Sequence, residues 1–510
     1  MNRDVDRDGP VDQLRDSVEI DFDEFETQVR DEAEVVKKHL KEGTFDNNQV
    51  TIGLEYEFYA VDRDTYSVRR VPRQLLECLG FEKELGLHNA ELCTGVYPCN
   101  DAGIGALEMD VESKLSAFQS RATAEGIRLV SDGMWTIGPK RNTTEEYLTE
   151  ATHEEGLTLA INVSNAVRYH GFASSRRETQ CLVELPGVTF DTDSPEPVSL
   201  TTSIQPHYQC HRAVELPEKF AAALRIAGPL LAVAVNSPLV PPELYEETDP
   251  DPGLLFEDGY AETRIPMYEG MMNPKNGDPK VRFPRDIDTI DAAVDRIVED
   301  ITIVPAEIDA GQRFDDAFVH FRHKHGSYWR WIRPVFDGAT TESANVRIEF
   351  RPIPGQPTVP DTISIVAAYT GLVTGLVEQE HPVLGLERDT ARDNFYAAAR
   401  DGLGADLTWI TANGERTTKT DLVFEDLFET AAAGLRSHGF RDERADSWLA
   451  PLYKRVEQDR TPADWKRRAV AARLDDGASV SEAIYGMQRA YVDRQIETLF
   501  SGHLTEWPEP

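Results

Sequence analysis

Thr51-Ile-Gly-Leu-Glu-Tyr-Glu-Phe-Tyr-Ala60 is the stretch that decides the fold. In an extended chain alternate side chains share a face, so Leu54, Tyr56 and Phe58 point one way and Glu55 and Glu57 the other. The apolar set is a core face. The acidic set puts two like charges about 7 Å apart, which costs free energy unless water, a cation or a basic partner lies between them. The strand is either a solvated sheet face or the floor of a metal site, and the rest of the sequence has to choose.

Other polar-faced strands accompany it. In Asn345-Val-Arg-Ile-Glu-Phe-Arg-Pro352, Val346, Ile348 and Phe350 form one face and Arg347, Glu349 and Arg351 the other. In Thr202 to Gln209 one face carries Ser203, Gln205, His207 and Gln209. Glu84-Leu-Gly-Leu-His-Asn-Ala-Glu91 adds two acids and is followed by Thr94. Each strand alone reads equally as solvent-facing; together they read as the inner wall of an open barrel. Carboxylates with one histidine suit Mg²⁺ or Mn²⁺, and arginine beside them suits phosphate. No P-loop, G-x-G-x-x-G after a strand, H-E-x-x-H or G-x-S-x-G occurs, so a nucleotide here is held through metal ions and arginines. His153-Glu154-Glu155 reads as surface, and His323 and His325 as a solvated loop. Cys93, Cys99 and His88 match no common zinc spacing and read as buried groups.

Fifty-three Lys and Arg stand against 90 Asp and Glu, a net charge of −37. That field disfavours nucleic acid and anionic membranes as partners and fits a surface adapted to high salt in a halophilic cytoplasm. Five cysteines without C-x-x-C pairs predict a reducing compartment. The charged N-terminus carries no signal peptide, and no apolar run is read as spanning a bilayer, Ala221 to Val235 being the longest. The expectation is a cytoplasmic enzyme.

Residues 1–16 read as disordered. Helical spacing is expected over 18–41, 104–126, 145–160, 219–235, 288–300, 362–378, 421–438, 462–474 and 479–499, the eighth capped by Thr461 before Pro462. Strands are expected over 50–61, 128–135, 182–190, 200–210 and 345–352. Without regular βαβ alternation this is an α+β chain with a mainly antiparallel sheet flanked by helices. Three regions follow: an acidic tail and helix (1–45), a catalytic domain (46–405) and a helical C-terminal region (406–510).

The ordered fragments resemble the glutamate–cysteine ligase type 2 family, the carboxylate–amine ligases. They are Gly53-Leu-Glu-Tyr-Glu-Phe58, Glu84 to Pro98, Arg168-Tyr169, His207, Val235-Asn-Ser-Pro-Leu239, Gly259-Tyr-Ala-Glu-Thr-Arg264, Tyr328 to Arg333, Val346 to Arg351, Asp393-Asn394 and Ala398 to Gly402. Four features depart from the family pattern: the altered strand around His207, the insert from Arg176 to Leu200, an extra N-terminal helix and a C-terminal stretch, 406–510, read as lying beyond the match. The resemblance implies a glutamine-synthetase-like half-barrel that phosphorylates a side-chain carboxylate with ATP, after which an amine attacks the acyl phosphate.

Carried over, Glu55, Glu57, Glu84, Glu91, His207 and Glu349 would ligate Mg²⁺ or Mn²⁺, with Glu55 and Glu91 sharing one ion. Arg264, Arg351 and Glu349 would be catalytic, Arg351 and Arg347 would hold the nucleotide, and Asn89, Thr94 and Arg264 would bind the acceptor acid. The implied reaction is glutamate–cysteine ligation to γ-glutamylcysteine, on the route to glutathione. The substrates are glutamate, ATP and an amine such as cysteine, and the chain is a possible homo-oligomer. A ligase for another amine, a guanidino-phosphotransferase and a non-catalytic relative are the alternatives.

Overall fold

The computed structural model describes residues 20–510 except 155–156, 175–180, 193, 248–249, 274–277 and 309–310. The segment expected to be disordered, 1–16, lies outside them.

Twelve strands matter here: β1 (Thr51–Asp62), β2 (Phe81–Lys83), β3 (Asn89–Cys93), β4 (Tyr97–Pro98), β5 (Ile127–Val130), β6 (Ala151–Glu154), β7 (Leu157–Ala160), β8 (Cys181–Leu185), β9 (Val188–Thr192), β10 (Ile204–Gln209), β11 (Ile332–Asp337) and β12 (Asn345–Phe350). The main sheet runs β11-β12-β10-β1-β3-β2, with β4 and β5 also pairing to β1, and every pairing is antiparallel. It is curved into a half-barrel, as the family resemblance implied. β1 is its long central strand because Leu54–Phe58 alternate and the run Phe58–Val61 stays apolar, with Leu54, Tyr56 and Phe58 buried on the helix side. Tyr56 finds a partner for its hydroxyl there, donating to Ser131 Oγ (2.9 Å).

Helices cover the convex side. Leu216–Ala234 and Val359–Glu378 are buried nearly all round, so they lack an amphipathic stripe. The second is long and apolar enough to cross a membrane by length and composition, contrary to the sequence reading, yet 94% of its apolar window is buried by the rest of the chain. It packs against Thr420–Ser437 at backbone contact: a Cβ on Gly434 would stand 1.9 Å from the Gly371 carbonyl oxygen and 2.6 Å from Gly375 N. Only glycine permits that approach.

The C-terminal helices Asp442–Glu457, Pro462–Asp475 and Val480–Thr498 are tied to the sheet side by buried polar contacts. Arg455 pairs with Asp361 (3.0 Å), both fully buried, and Lys466 pairs with Asp132 and donates to the Asn236 carbonyl (2.7 Å). Gln495 accepts from Ser131 N (3.0 Å) and donates to Ser131 O (2.7 Å). Thr461 caps the Pro462 helix in a reciprocal capping box with Asp464, as expected.

Several local expectations fail. Residues 145–160, read as one helix, form a helix only over Thr144–Thr149 and then the β6–β7 hairpin. Residues 182–190, read as one strand, turn at Gly187 into the β8–β9 hairpin. The strand expected over 128–135 ends at Val130, and β11 and the helices Arg388–Asp401 and Asp442–Glu457 were not anticipated. His325 is buried in the helix Val319–His325 and donates to Pro334 O (2.9 Å), while His323 contacts Val304 O (2.8 Å), so neither lies in a solvated loop.

Candidate active site

Antiparallel register puts directly opposed residues on one face. Glu57 faces Glu91; Glu55 faces Cys93 on one side and Gln205 on the other; His207 faces Gly53 and Glu349; Glu349 faces Arg333. The polar faces of β1, β3, β10, β11 and β12 thus form one continuous floor. Glu84 reaches it from the turn after β2, a segment pinned by Ser164 N donating to Leu85 O (2.7 Å) and Leu87 N to Asn162 O (2.7 Å).

The acids fall into two sets of three, each with its ligand atoms within 4.8 Å of one another: Glu57, Glu84 and Glu91, and Glu55, His207 and Glu349. This grouping separates Glu55 from Glu91, which the family resemblance put on one ion. A third such group, Glu82, Glu91 and Cys93, shares Glu91.

The two principal sets differ in charge balance. Glu349 is buried between arginines: Arg333 Nε and Nη2 reach its Oε2 at 3.0 and 2.9 Å, and Arg351 donates to its Oε1. Burial would raise its carboxyl, but Arg333, Arg351 and then His207 hold it well below the ordinary range. Burial likewise opposes ionisation of Glu55, and His207 Nε2, 3.3 Å away, outweighs it and lowers the carboxyl. In the other set burial and like charge win over the nearby arginines. Burial and then Glu84 push Glu57 up to about 7, although Ser203 N and Gln205 Nε2 donate to its two oxygens at 2.6 and 2.7 Å. Burial and the charges of Glu55, Glu84 and Glu57 push Glu91 well above its range. Burial also raises Glu84, against the opposing charges of Arg168 and Arg351.

An all-oxygen triad with Glu57 buried, Glu84 and Glu91 half-buried, and more negative charge than the nearby arginines offset fits a hard divalent cation. The mixed set fits less directly. Arg347 Nε donates to His207 Nδ1 (3.1 Å), which puts the ring's own hydrogen on Nε2, facing Glu55. For Nε2 to take a cation, Arg347 must turn fully to Asp337, already 3.3 Å away.

A narrow cavity adjoins the first set. Glu57, Glu84, Asn89, Ser199, Trp331 and Arg351 are among the residues that line it. Arg264 also lines it, but its guanidinium is tied down, Nε to Glu262 (3.0 Å) and Nη2 to Pro352 O, with Cζ 5.3 Å from the Trp331 ring centroid. Glu262 in turn accepts from Asn236 N (2.9 Å). The Asn-Ser-Pro and Gly-Tyr-Ala-Glu-Thr-Arg segments therefore brace the end of β12. Thr94 sits elsewhere: Leu54 N donates to its Oγ1 (3.0 Å), which donates to Gly95 O (2.9 Å), closing the β1 edge near Gly53. Arg333, Arg168, Ser199 and Trp331 were absent from the sequence-derived set. Of these, Arg168 stood in the Arg-Tyr element and Trp331 and Arg333 in the Trp-rich one; Ser199 carried no motif.

Among solved structures, the chain is similar to a glutamate–cysteine ligase from Francisella tularensis in complex with AMP, at 12% identity over 91% of each chain with a TM-score of 0.49. It is also similar to a bifunctional glutathione synthetase from Pasteurella multocida, at 12% identity and a TM-score of 0.50, covering 92% of this chain and 55% of that one. No curated protein matches. The model of glutamate–cysteine ligase family 2 matches residues 51–497, past position 405, where the recognised motifs stopped, and through the C-terminal helices. The chain belongs to glutamate–cysteine ligase family 2.

Proposed function

We propose that this protein is an ATP- and Mg²⁺-dependent carboxylate–amine ligase that joins the γ-carboxylate of glutamate to the amine of cysteine through a γ-glutamyl phosphate. The observation that carries it is the pairing of a net-negative carboxylate triad, Glu57, Glu84 and Glu91, with arginines on the same floor. A carboxylate is a poor acyl donor because its leaving oxygen is too basic, and phosphorylation turns that oxygen into a good leaving group. Such a transfer depends on positioning and charge neutralisation rather than on a protein nucleophile.

A divalent cation would be held by Glu57, Glu84 and Glu91, and a second by Glu55, Glu349 and His207; bound there, they neutralise phosphate charge and align the phosphoryl group. Arg351, fixed by Glu349 and lining the cavity, is the guanidinium best placed to meet the transferring phosphoryl group; Arg333, on the other side of Glu349, keeps that carboxylate charged and oriented. Arg347, on the His207 side, contacts the nucleotide in this reading. Arg264 acts by bracing β12, and through it Arg351, whose carbonyl oxygen it approaches at 3.5 Å. Family membership supports glutamate and cysteine as substrates, and the altered strand at Pro206-His207-Tyr208-Gln209 makes the amine the open variable.

A coupled assay for ADP release, run with glutamate, Mg²⁺ and a panel of amines in concentrated KCl, tests the proposal. Cysteine-dependent ADP release with equimolar amide is expected. ADP release without amide, or none with any amine, would overturn it.

A further inference from the structure

The helix Pro462–Asp475 sends one charged side chain into the middle of the molecule. Lys466 is 1% exposed; its ammonium pairs with Asp132, donates to Asn236 O (2.7 Å) and lies 4.5 Å from the centroid of the Tyr491 ring. Asp132 is fully buried and also accepts from Gly133 N (2.6 Å) and Gln488 Nε2 (2.7 Å). Burial works against both charges, raising the Asp132 carboxyl and lowering the Lys466 ammonium. Such a pair commonly adds little stability over apolar packing of the same volume; what it adds is direction.

Three chain segments meet at Lys466, backbone against backbone. A Cβ on Gly133 would stand 3.0 Å from the Asn236 carbonyl and from Pro354 Cβ, and one on Gly355 would stand 2.3 Å from Asp132 O. Asn236 joins the three. Its carbonyl accepts from Lys466, its N–H donates to Glu262 (2.9 Å), and its Nδ2 donates to Gly355 O (2.6 Å) and to the Tyr491 hydroxyl (3.0 Å). Glu262 in turn holds Arg264 Nε (3.0 Å), and Arg264 donates to Pro352 O. The stretch after β12, Pro352 to Gly355, is fastened at both ends, and both fastenings run back to Asn236. Arg351, which lines the cavity, directly precedes it. Close packing leaves no free volume in which a shift of Asn236 could be absorbed, so the shift is passed on to Arg351.

We propose that Lys466 is a positioning residue for phosphoryl transfer: through Asn236 it sets the place of Arg351, which makes the C-terminal helices part of the active unit; this rests on the ligase reading. The motifs of the family resemblance stop short of Lys466, and its contacts are to a carbonyl and to a residue more than three hundred positions away.

Lys466→Met, alone and combined with Asp132→Asn, tests the assignment, each variant being measured at a temperature where circular dichroism shows it folded. The single change leaves Asp132 unpaired and lowers the melting temperature; the second removes that charge and restores most of the loss. In the double variant kcat is expected to fall on the order of tenfold or more, with the KM values for glutamate and the amine unmoved. Calorimetric titration with the ATP analogue AMPPNP and with ADP, both in Mg²⁺, should show AMPPNP binding weakened about tenfold and ADP binding unchanged, because only AMPPNP carries the terminal phosphate that Arg351 meets. A purely structural Lys466 predicts that kcat and the AMPPNP-to-ADP ratio recover together with the melting temperature. That recovery, a loss spread over all the KM values, a double variant that does not fold, or no nucleotide binding by wild type would overturn the proposal. Failure of the ligase reading shows differently: wild type releases no ADP with any amine, while the AMPPNP-to-ADP comparison still decides the role of Lys466.

Discussion

Glu91→Gln separates the cost of the carboxylate triad from its use. The ligand atoms of Glu57, Glu84 and Glu91 are no more than 4.8 Å apart, so at an effective dielectric of 20 each ionised pair repels by about 3.5 kcal/mol or more. Those repulsions and burial already push the Glu91 carboxyl toward its neutral form, so glutamine replaces it with a neutral group of the same shape and relieves two such pairs wherever the carboxyl is ionised. The metal-free variant is therefore expected to melt no lower than wild type. Mg²⁺ at about 100 times its Kd stabilises wild type by about 2.7 kcal/mol. An unfolding entropy of about 2.1 cal/mol/K per residue over 510 residues gives about 1.1 kcal/mol/K, so the melting temperature rises by about 2.5 °C. Glu91→Gln should lose that rise, because two carboxylates hold the ion where three did. Differential scanning calorimetry with EDTA or MgCl₂, in concentrated KCl to screen the acidic surface, reads both quantities; the partly buried triad is screened far less than the surface. An equal Mg²⁺-dependent rise in the variant, or a metal-free melting temperature several degrees below wild type, would refute the cation-cradle reasoning.

Glu349→Gln should behave in the opposite way: it strips the shared counter-charge from the largely buried Arg333 and Arg351, costing about 3–5 kcal/mol and lowering the melting temperature by about 3–5 °C while turnover falls; an unchanged melt would show that the pairing is dispensable. Acid should weaken the fold through His88 and His325, whose rings burial pushes down to about 4. A histidine depressed in the folded state leaves stability whole above its unfolded value of about 6.5 and withdraws it as pH falls toward 4, on the order of 3 kcal/mol for each ring. Denaturant midpoints at pH 7, 5.5 and 4.5 in the His88→Gln and His325→Gln variants should show a flatter fall than wild type, and parallel falls would remove these rings as the cause.

The sheet was legible where a strand carries its own contrast. β12 alternates apolar and charged residues throughout and β1 does so over Leu54–Phe58, so their existence and the division of their faces followed from period, while the choice between solvent and an enclosed floor needed the strands together. Pairing was not legible, because register is set by which strands meet. Arg333 lies 16 residues from Glu349 along the chain, and only β11–β12 pairing brings it opposite. The same holds for the split of six ligand candidates into two sets. Arg264 illustrates a different limit: its motif is visible in sequence, but the bonds that turn it into a brace go to the Pro352 carbonyl and to Glu262, and backbone acceptors leave no mark in sequence. Residues 145–160 misread because Thr143 and Glu146 do start a helix with a capping box, while the alternation that follows belongs to the β6–β7 hairpin. Asp442–Glu457 was hidden by its charged composition and by Pro451 within it.

Glu55 and Glu57 are consecutive on one face of one strand, and each anchors a different ligand set. The distance between the two sets is thus a property of the pleat. Loops around the sheet can lengthen, shorten or be exchanged without altering it, whereas a single inserted residue between the two glutamates would turn one of them into the core. Variation in such a protein is free at the rim of the sheet and forbidden along one strand, where the spacing of the two ligand sets is built in covalently.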